Sequence, residues 1–323
     1  MIATVVNSFQ RRDLLAKALP SLHAALAQAG GPTGIMVFDA GSTDGSREYV
    51  DGYAAEHPDL DLRQIKATPE MDTTFSGGIN AGCAEALARW PGVKWFVLFE
   101  TDNWIQDFDP VARAIELLET HGELGAVGYT VAKYSGVRTG FGASFPTIGQ
   151  FVLGPQLCYR WGLDAPKVLW QKTDGISWTL CDAVYTSPIV IRRQAWEESG
   201  GLDAQAFPFS ECDLDWAWRL AEKGWKQAVI ETEGVIHDNC EQLSGWSKLR
   251  ALRFHQARWR LLRRWRKASG AWLPALWLRH VAEVAAMTLG VATGRVQRDR
   301  LQARIALLRA AMGGYEQEIG KKS

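Results

Sequence analysis

Residues 34–46 read Gly-Ile-Met-Val-Phe-Asp-Ala-Gly-Ser-Thr-Asp-Gly-Ser, an apolar run that ends in an acidic residue and a turn rich in Gly, Ser and Asp. The apolar run predicts a strand, and the turn predicts a change of chain direction. Ser46 is followed by a segment that can begin a helix. This stretch therefore predicts a strand, a polar loop and a helix in succession, with Asp39 at the end of the strand.

The same order is found on both sides of this stretch. Residues 2–6 form another apolar run, and leucines then recur at spacings of four, three and four residues, which predicts a helix packed on a sheet (Leu15, Leu19, Leu22, Leu26). Residues 95–99 are apolar throughout, as in a strand buried on both faces of a parallel sheet. The alternation of strands and helices predicts an α/β fold.

Polar residues follow each of these three apolar runs. Asn7, Asp39 and the segment 100–102 all lie where a predicted strand gives way to a loop. In open α/β sheets, ligands bind at the carboxyl ends of the strands. We therefore expect these residues to meet at one binding site.

Five segments occur in the order in which a sugar-nucleotide enzyme builds its donor site and then its acceptor site: residues 3–7, 37–46, 77–82, 100–102 and 212–219. Together they resemble the bacterial family-two glycosyltransferases, including rhamnosyl- and galactofuranosyltransferase-like enzymes of surface polysaccharides. The resemblance covers about residues 1–265 and implies inverting transfer from a nucleoside-diphosphate sugar. It also implies a GT-A type fold with a mixed, mostly parallel central sheet.

The resemblance further implies a domain organisation. Residues 1–240 would form the glycosyltransferase domain, with the donor half in 1–105 and the acceptor half in 106–240. Residues 241–323 would form a basic helical extension. Between about residues 134 and 177 the pattern lacks sustained periodicity, which predicts long loops lining an acceptor cleft.

By the same resemblance, six residues would bind the nucleotide: Asn7, Asp39, Asp44, Gly77, Gly78 and Asn80. Each motif also has a simpler interpretation. Asp, Ser and Gly are common in strand-to-helix turns because they form local hydrogen bonds. Paired glycines usually mark a bend of the backbone. The order of the motifs, and not any single one, favours nucleotide binding.

Glu100 and Asp102 occupy the place of the family's Asp-x-Asp motif, which implies a divalent cation, Mn²⁺ or Mg²⁺, bridging carboxylate and diphosphate. Glu100 departs from the usual Asp, so Asp102 is the preferred ligand. His237 lies where the family can place a histidine near the metal, and Ser244 follows at the matching distance. The alternatives are a solvated acidic loop and a structural histidine.

Asp213 falls on the family's catalytic aspartate and would remove the proton of the acceptor hydroxyl. Cys212 stands where Glu is usual, and Glu211 lies one residue earlier. Asp215 and Arg219 complete this motif, although acidic residues here also suit a helix N-terminus. Trp178 is a further candidate for the acceptor site, since tryptophan stacks on sugars or packs in cores.

The charge is divided along the chain. Residues 1–245 hold 19 basic and 32 acidic residues, a net charge of −13, whereas residues 246–310 hold 15 and 2, a net charge of +13. Residues 254–265 combine apolar positions at helical spacing with many arginines, which predicts a cationic amphipathic helix. Such a helix can bind anionic lipid or dock on its own domain.

Residues 272–292 contain Arg279, His280 and Glu283, which favours attachment to a membrane over spanning it. The scattered cysteines and the chain start indicate a cytoplasmic protein, peripheral on the inner face of the membrane. The acceptor would be a surface glycan or a lipid-linked oligosaccharide. Two alternatives are a sugar nucleotidyltransferase and a non-catalytic glycan- or nucleic-acid-binding protein, with nucleic acid the less favoured partner.

Overall fold

The computed structural model describes residues 1–106, 109–132, 138–140, 142–163, 168–185, 188–237 and 248–315. The chain divides into two compact units. The first comprises residues 1–145 and 166–238, and the second comprises residues 146–165 and 239–323. The expected domain boundary at 240/241 lies outside the described residues. Residues 146–165, expected in the acceptor half, group with the C-terminal helices.

The described strands, in chain order, are β1 (Ile2–Ser8), β2 (Thr33–Asp39), β3 (Asp61–Lys66), β4 (Trp95–Glu100), β5 (Asn103–Ile105), β6 (Leu124–Tyr129), β7 (Val131–Ala132), β8 (Arg138–Gly140), β9 (Gln171–Thr173), β10 (Ile176–Cys181), β11 (Ile189–Arg192), β12 (Lys226–Ile230) and β13 (Val235–His237). All of them belong to the first unit.

The described helices are α1 (Arg12–Ala29), α2 (Ser46–Glu56), α3 (Phe75–Arg89), α4 (Pro110–Thr120), α5 (Ile148–Leu153), α6 (Pro155–Arg160), α7 (Arg193–Ser199), α8 (Cys212–Glu222), α9 (Lys248–Arg266), α10 (Leu273–Ala292) and α11 (Arg298–Met312). A short 3₁₀ helix, Gly270–Trp272, precedes α10. The second unit contains α5, α6 and α9 to α11.

Among the described residues, a nine-stranded sheet has the order β3-β2-β1-β4-β11-β6-β12-β10-β9. Strands β3, β2, β1 and β4 run parallel, as do β6 and β12. Strand β11 is antiparallel to both β4 and β6, and β10 is antiparallel to β12 and β9. A small second sheet has the order β5-β13-β7-β8. The expected mixed α/β fold is therefore confirmed.

The core of the first unit explains why the predicted elements form. The leucine stripe of α1 is buried against the sheet, where Leu15, Leu19 and Leu22 have no exposed surface. Each fully buried leucine side chain contributes about 1.5–3 kcal/mol. The predicted strands β1, β2 and β4 and the helices α1, α2 and α8 are all confirmed.

Two parts of the chain differ from expectation. The long-loop interpretation of residues 134–177 is wrong for 148–160, where α5 and α6 form. Thr147 caps α5 through a capping box with Gln150, a local signal that the search for periodicity missed. Gly77 and Gly78, which the simpler interpretation places at a bend of the backbone, lie in the first turn of α3.

The second unit has its own apolar core around Phe151, Trp259, Leu262, Leu276 and Leu307. Trp259 and Leu262 show that part of α9 packs within this unit. Among the described residues one segment, Gly270–Ala292, is long and apolar enough by length and composition to cross a membrane.

Candidate active site

The carboxyl ends of three adjacent parallel strands form the centre of the candidate site. In register, Asn7 on β1 lies beside Glu100 on β4, and Ser8 lies beside Asp39 on β2. Neighbouring strands are about 4.8 Å apart. The predicted convergence of Asn7, Asp39 and Glu100 at one edge of the sheet is therefore found.

Asp39 is fully buried, and its two carboxylate oxygens differ. Oδ1 accepts hydrogen bonds from the backbone N–H of Gly41 at 3.0 Å and of Ser42 at 2.9 Å, and from Arg47 Nε at 2.7 Å. Oδ2 is buried and has no hydrogen-bond partner among the residues that the structure describes. Burial raises the pKa of Asp39, but the hydrogen bonds from Ser42, Arg47 and Gly41 outweigh it and lower the pKa. Asp39 is thus a fixed anion with one oxygen still able to accept.

Asn7 presents a second buried acceptor of this kind. Its Oδ1 has no hydrogen-bond partner within the described ranges and lies against Gly78. A Cβ atom at Gly78 would come within 2.6 Å of this oxygen and 2.7 Å of Phe38 Cδ1. Glycine at this position therefore lets the first turn of α3 approach β1 and β2 closely.

Asp44 has a different setting from Asp39. It is exposed, its Oδ2 accepts from the backbone N–H of Arg12 at 3.0 Å, and its Oδ1 accepts from Ser46 N at 3.1 Å and Ser46 Oγ at 2.6 Å. Burial slightly opposes these hydrogen bonds, which lower the pKa of Asp44. The Asp44 carboxylate links Arg12, which follows β1, to Ser46 at the start of α2. Its contacts therefore shape the site.

Gly77 and Asn80 make close contacts beside the site. A Cβ atom at Gly77 would clash with the Asp72 side chain at 2.3 Å. Asn80 Nδ2 donates to the carbonyl of Leu202 at 2.7 Å, and Asn80 Oδ1 accepts from the N–H of Leu202 at 2.9 Å. The amide that we expected at the nucleotide therefore anchors the loop after α7.

The acidic loop brings two predicted metal ligands into contact. His237 Nε2 lies 3.4 Å from Asp102 Oδ2, because β13 pairs with β5 and places His237 opposite Asn103. Asp102 is buried, whereas about a third of His237 is exposed. A carboxylate and an imidazole are both donors that Mn²⁺ accepts. The described residues contain no group of three or more His, Cys, Asp and Glu side chains arranged to hold a metal.

The segment that carries the candidate base enters α8 at Glu211. Glu211 is buried and has a left-handed backbone with φ of 65°, which is uncommon for residues other than glycine. Asp213 lies in the first turn of α8 and is partly buried. Burial raises the pKa of the Cys212 thiol, and the charges of Asp213 and Glu100 raise it further. Glu211 and Asp213 therefore flank the buried thiol of Cys212 at the start of α8.

Asp215 and Trp178 lie in the interior. Asp215 is fully buried and accepts from Arg219 Nε at 3.0 Å, and Arg219 also donates to the carbonyl of Ser199. Trp178 is 3% exposed and donates through Nε1 to Thr173 Oγ1. This placement corrects the acceptor interpretation of Trp178, because a ring within the core has no face for a sugar. Asp215 and Arg219 form a structural ion pair.

Two residues at the site were missed by sequence reasoning. Arg47 holds Asp39, and Ser76 holds the loop before α8, with its Oγ donating to the carbonyl of Phe207 at 2.6 Å and its N–H to Pro208 at 3.0 Å. Arg47 lies eight residues after Asp39 on the first turn of α2, a spacing that could have suggested the pair. No local pattern links Ser76 to a segment 131 residues away. Ser244 lies outside the described residues.

The sequence profile described as Glycosyl transferase family 2 matches residues 4–167. The matched part includes the ends of β1, β2 and β4 and the first turn of α3. The chain belongs to this family and is a glycosyltransferase. No curated protein matches the sequence.

Solved structures share the fold. A mannosyltransferase from Pyrobaculum calidifontis, PcManGT in complex with GDP-Man and Mn²⁺, has a TM-score of 0.56 and 15% identity, and the match covers 98% of this chain and 88% of that one. The structure of GalNAc-T7 with UDP, GalNAc and Mn²⁺ has a TM-score of 0.52 and 12% identity, over 80% of this chain and 47% of that one. At these identities the likeness shows the fold.

Proposed function

We propose that this glycosyltransferase moves one sugar from a nucleoside-diphosphate sugar, UDP- or dTDP-linked, to a hydroxyl of a surface glycan or lipid-linked oligosaccharide, with inversion at the anomeric carbon. The observation that carries the proposal is a pair of buried acceptors that have no hydrogen-bond partner in the described part of the chain, Asp39 Oδ2 and Asn7 Oδ1, at adjoining strand ends. A buried acceptor without a partner costs about 1–3 kcal/mol. A donor group of a bound nucleotide, such as a ribose hydroxyl or base N–H, would remove that cost.

Asp213 is the proposed general base. The start of α8 is held beside the strand ends by Ser76 and Asn80, through their bonds to Pro208, Phe207 and Leu202. A carboxylate at this place can take the proton of an acceptor hydroxyl as its oxygen attacks the sugar. Such assistance contributes about 10²–10⁴-fold to the rate. Glu211, buried at the turn into α8, would fix the direction in which Asp213 points.

We also propose that Asp102 and His237, with Glu100 nearby, bind Mn²⁺ or Mg²⁺. The contact between Asp102 and His237 supports this, because a donor from the turn between β4 and β5 meets a donor on β13 there. With only two or three protein donors, the diphosphate would complete the set of ligands. When bound, the cation would stabilise negative charge on the departing nucleoside diphosphate.

The protein would work on the cytoplasmic face of the membrane.

Thermal unfolding against UDP, dTDP, GDP and CMP, each with Mn²⁺, Mg²⁺ or EDTA, tests the donor site. GDP belongs in the panel because PcManGT was solved with GDP-Man. A nucleotide at a hundredfold over its Kd stabilises the folded protein by about 2.7 kcal/mol. We expect a shift with one diphosphate that is smaller with EDTA. If no nucleotide shifts a cooperative transition, a non-catalytic binding role would replace the proposal.

A further inference from the structure

Helix α10 has one face that is apolar and exposed. Its residues recur at spacings of four, three, four and three, which places them on a single stripe of the helix (Leu278, Ala282, Ala285, Leu289, Ala292). Leu278 is 61% exposed and Leu289 is 71% exposed. Soluble monomers rarely expose a continuous apolar stripe of this length, and such a stripe usually marks an interaction site. We call these five residues the apolar stripe.

The opposite face of α10 holds charged groups that are satisfied inside the second unit. Glu283 accepts from Arg279 at 3.2 Å and from Arg304 of α11 at 2.8 Å. His280 is fully buried and contacts the hydroxyl of Tyr315 at 2.7 Å. A helix crossing a bilayer would have to take these groups into the hydrocarbon or release them from α11. The arrangement instead favours a helix lying flat, with its stripe outward.

Cations lie beyond both ends of the apolar stripe. Lys267 is exposed before α10, and Arg295, Arg298 and Arg300 are exposed after it. Two exposed tryptophans, Trp272 and Trp277, lie at the N-terminal end of the helix. Amphipathic tryptophan rings and long basic side chains suit the headgroup level of a bilayer, where the ring or stem is buried and the polar end is hydrated.

We propose that the apolar stripe and these flanking cations form a docking surface for an anionic lipid bilayer, on which α10 lies in the plane of the interface. The charge of residues 246–310, +13, is complementary to anionic headgroups. A second copy of this chain would bring the same positive charge against itself, which disfavours self-association. Nucleic acid could pair with the flanking cations, but its phosphates would leave the apolar stripe exposed to water, which favours the bilayer as the occupant.

Co-sedimentation of the full chain with phosphatidylcholine vesicles, with and without phosphatidylglycerol, tests the proposal. We expect pelleting with the anionic vesicles that falls as salt rises, because surface charges are screened. Alkaline carbonate should release the bound protein, since a helix in the interface does not span. No pelleting with anionic vesicles, or resistance to carbonate, would overturn the proposal.

Variants separate the two contributions. Leu278→Gln/Leu289→Gln should lower the partition coefficient about tenfold for each leucine, which is roughly what partial burial of that side chain provides. Arg298→Gln/Arg300→Gln should lower it about fivefold for each cation on anionic vesicles only. The matched control is Leu169→Gln/Leu180→Gln, which changes leucines that are 78% and 41% exposed in the first unit.

The control should pellet like the wild type, and all variants should keep the wild-type circular dichroism spectrum. An equal loss of pelleting in the control would show that general hydrophobicity, and not α10, drives binding. If sedimentation velocity instead shows a dimer that Leu278→Gln/Leu289→Gln dissociates, without vesicle binding, the occupant is a second copy and the proposal is refuted. The readout is independent of the proposed donor site.

Discussion

Replacing Asp39 by Asn tests the proposed donor site most directly, because the two oxygens of this carboxylate have different surroundings. An asparagine can keep its oxygen where Oδ1 now accepts from Gly41, Ser42 and Arg47. Its NH₂ group would then stand where Oδ2 is buried without a partner. The substitution therefore preserves the loop geometry and turns the acceptor offered to a nucleotide into a donor.

The magnitudes follow from these contacts. Hydrogen bonds to a charged group contribute about 1.5–3 kcal/mol, roughly twice the neutral value, so nucleotide affinity should fall about ten- to hundredfold. The loss of the charge opposite Arg47 should lower the free energy of unfolding by about 1–2 kcal/mol, because one partner is 29% exposed and the pair is partly screened. Folding and ligand binding should thus respond by different amounts.

Isothermal titration calorimetry with the diphosphate selected by thermal unfolding measures the affinity, and chemical denaturation measures stability. Asp44→Asn is the matched control. This exposed carboxylate lies in the same loop as Asp39 and accepts hydrogen bonds from Arg12 and Ser46. We expect the control to lose stability and to change Kd by less than about threefold. If Asp39→Asn bound the nucleotide as tightly as the wild type, Asp39 would only brace the loop, and the proposed donor contact would be refuted.

Three further predictions concern the base, the packing of α3 and the second unit. Asp213→Asn should lower kcat by about 10²–10⁴-fold with donor Kd nearly unchanged, and equal loss of both would place Asp213 in donor binding or folding. Gly78→Ala should lower the free energy of unfolding by about 1–3 kcal/mol because its Cβ meets Asn7 and Phe38, whereas Gly52→Ala, which meets nothing within 4 Å in helix α2, should raise it by up to about 1 kcal/mol. Burial lowers the pKa of His255 from 6.5 to about 3. Between these two pH values the unfolded chain binds a proton at His255 and the folded unit does not. The free energy of unfolding should therefore fall by about 1.4 kcal/mol per pH unit as the pH falls from 6.5 toward 3. Hydrogen exchange of α9 to α11 across this pH range measures that slope, and His255→Phe should flatten it; an unchanged slope would assign it to other groups.

The sequence predicted the part of the fold that local periodicity determines. The leucine stripe of α1 and the apolar runs of β1, β2 and β4 are recognisable because burial on a sheet imposes a repeat on consecutive residues. The short helices α5 and α6 were missed because six residues are too few to show a helical repeat. The strand order beyond β4 was not predicted, since antiparallel β11 inserts between β4 and β6 through pairings distant in sequence.

The position of the candidate site was predicted from the sequence, whereas the roles of its residues stay predictions. The rule that ligands bind at the carboxyl ends of strands predicted that Asn7, Asp39 and Glu100 lie together, as they do. The family resemblance predicted His237 near the metal, and the structure places it beside Asp102. A sequence motif does not distinguish residues that contact a ligand from residues that position the ligand-contacting side chains. Asp44 Oδ2 and the side-chain amide of Asn80 are occupied by backbone partners that lie more than thirty residues away in the sequence.

Helix α3 supplies the connection between the two halves of the proposed reaction. Its first turn packs on Asn7 and Phe38 at the nucleotide end, and the same turn, through Ser76, bonds the segment that leads to Asp213. Asn80, one turn later, bonds both the N–H and the C=O of Leu202 and so fixes the start of that segment. Because a rigid helix carries both sets of contacts, the distance between the proposed nucleotide site and the proposed base is set by one element rather than by two independent loops. Such fixed placement is what converts binding into rate enhancement, since misplacing a catalytic group by about 1 Å can cost about a hundredfold.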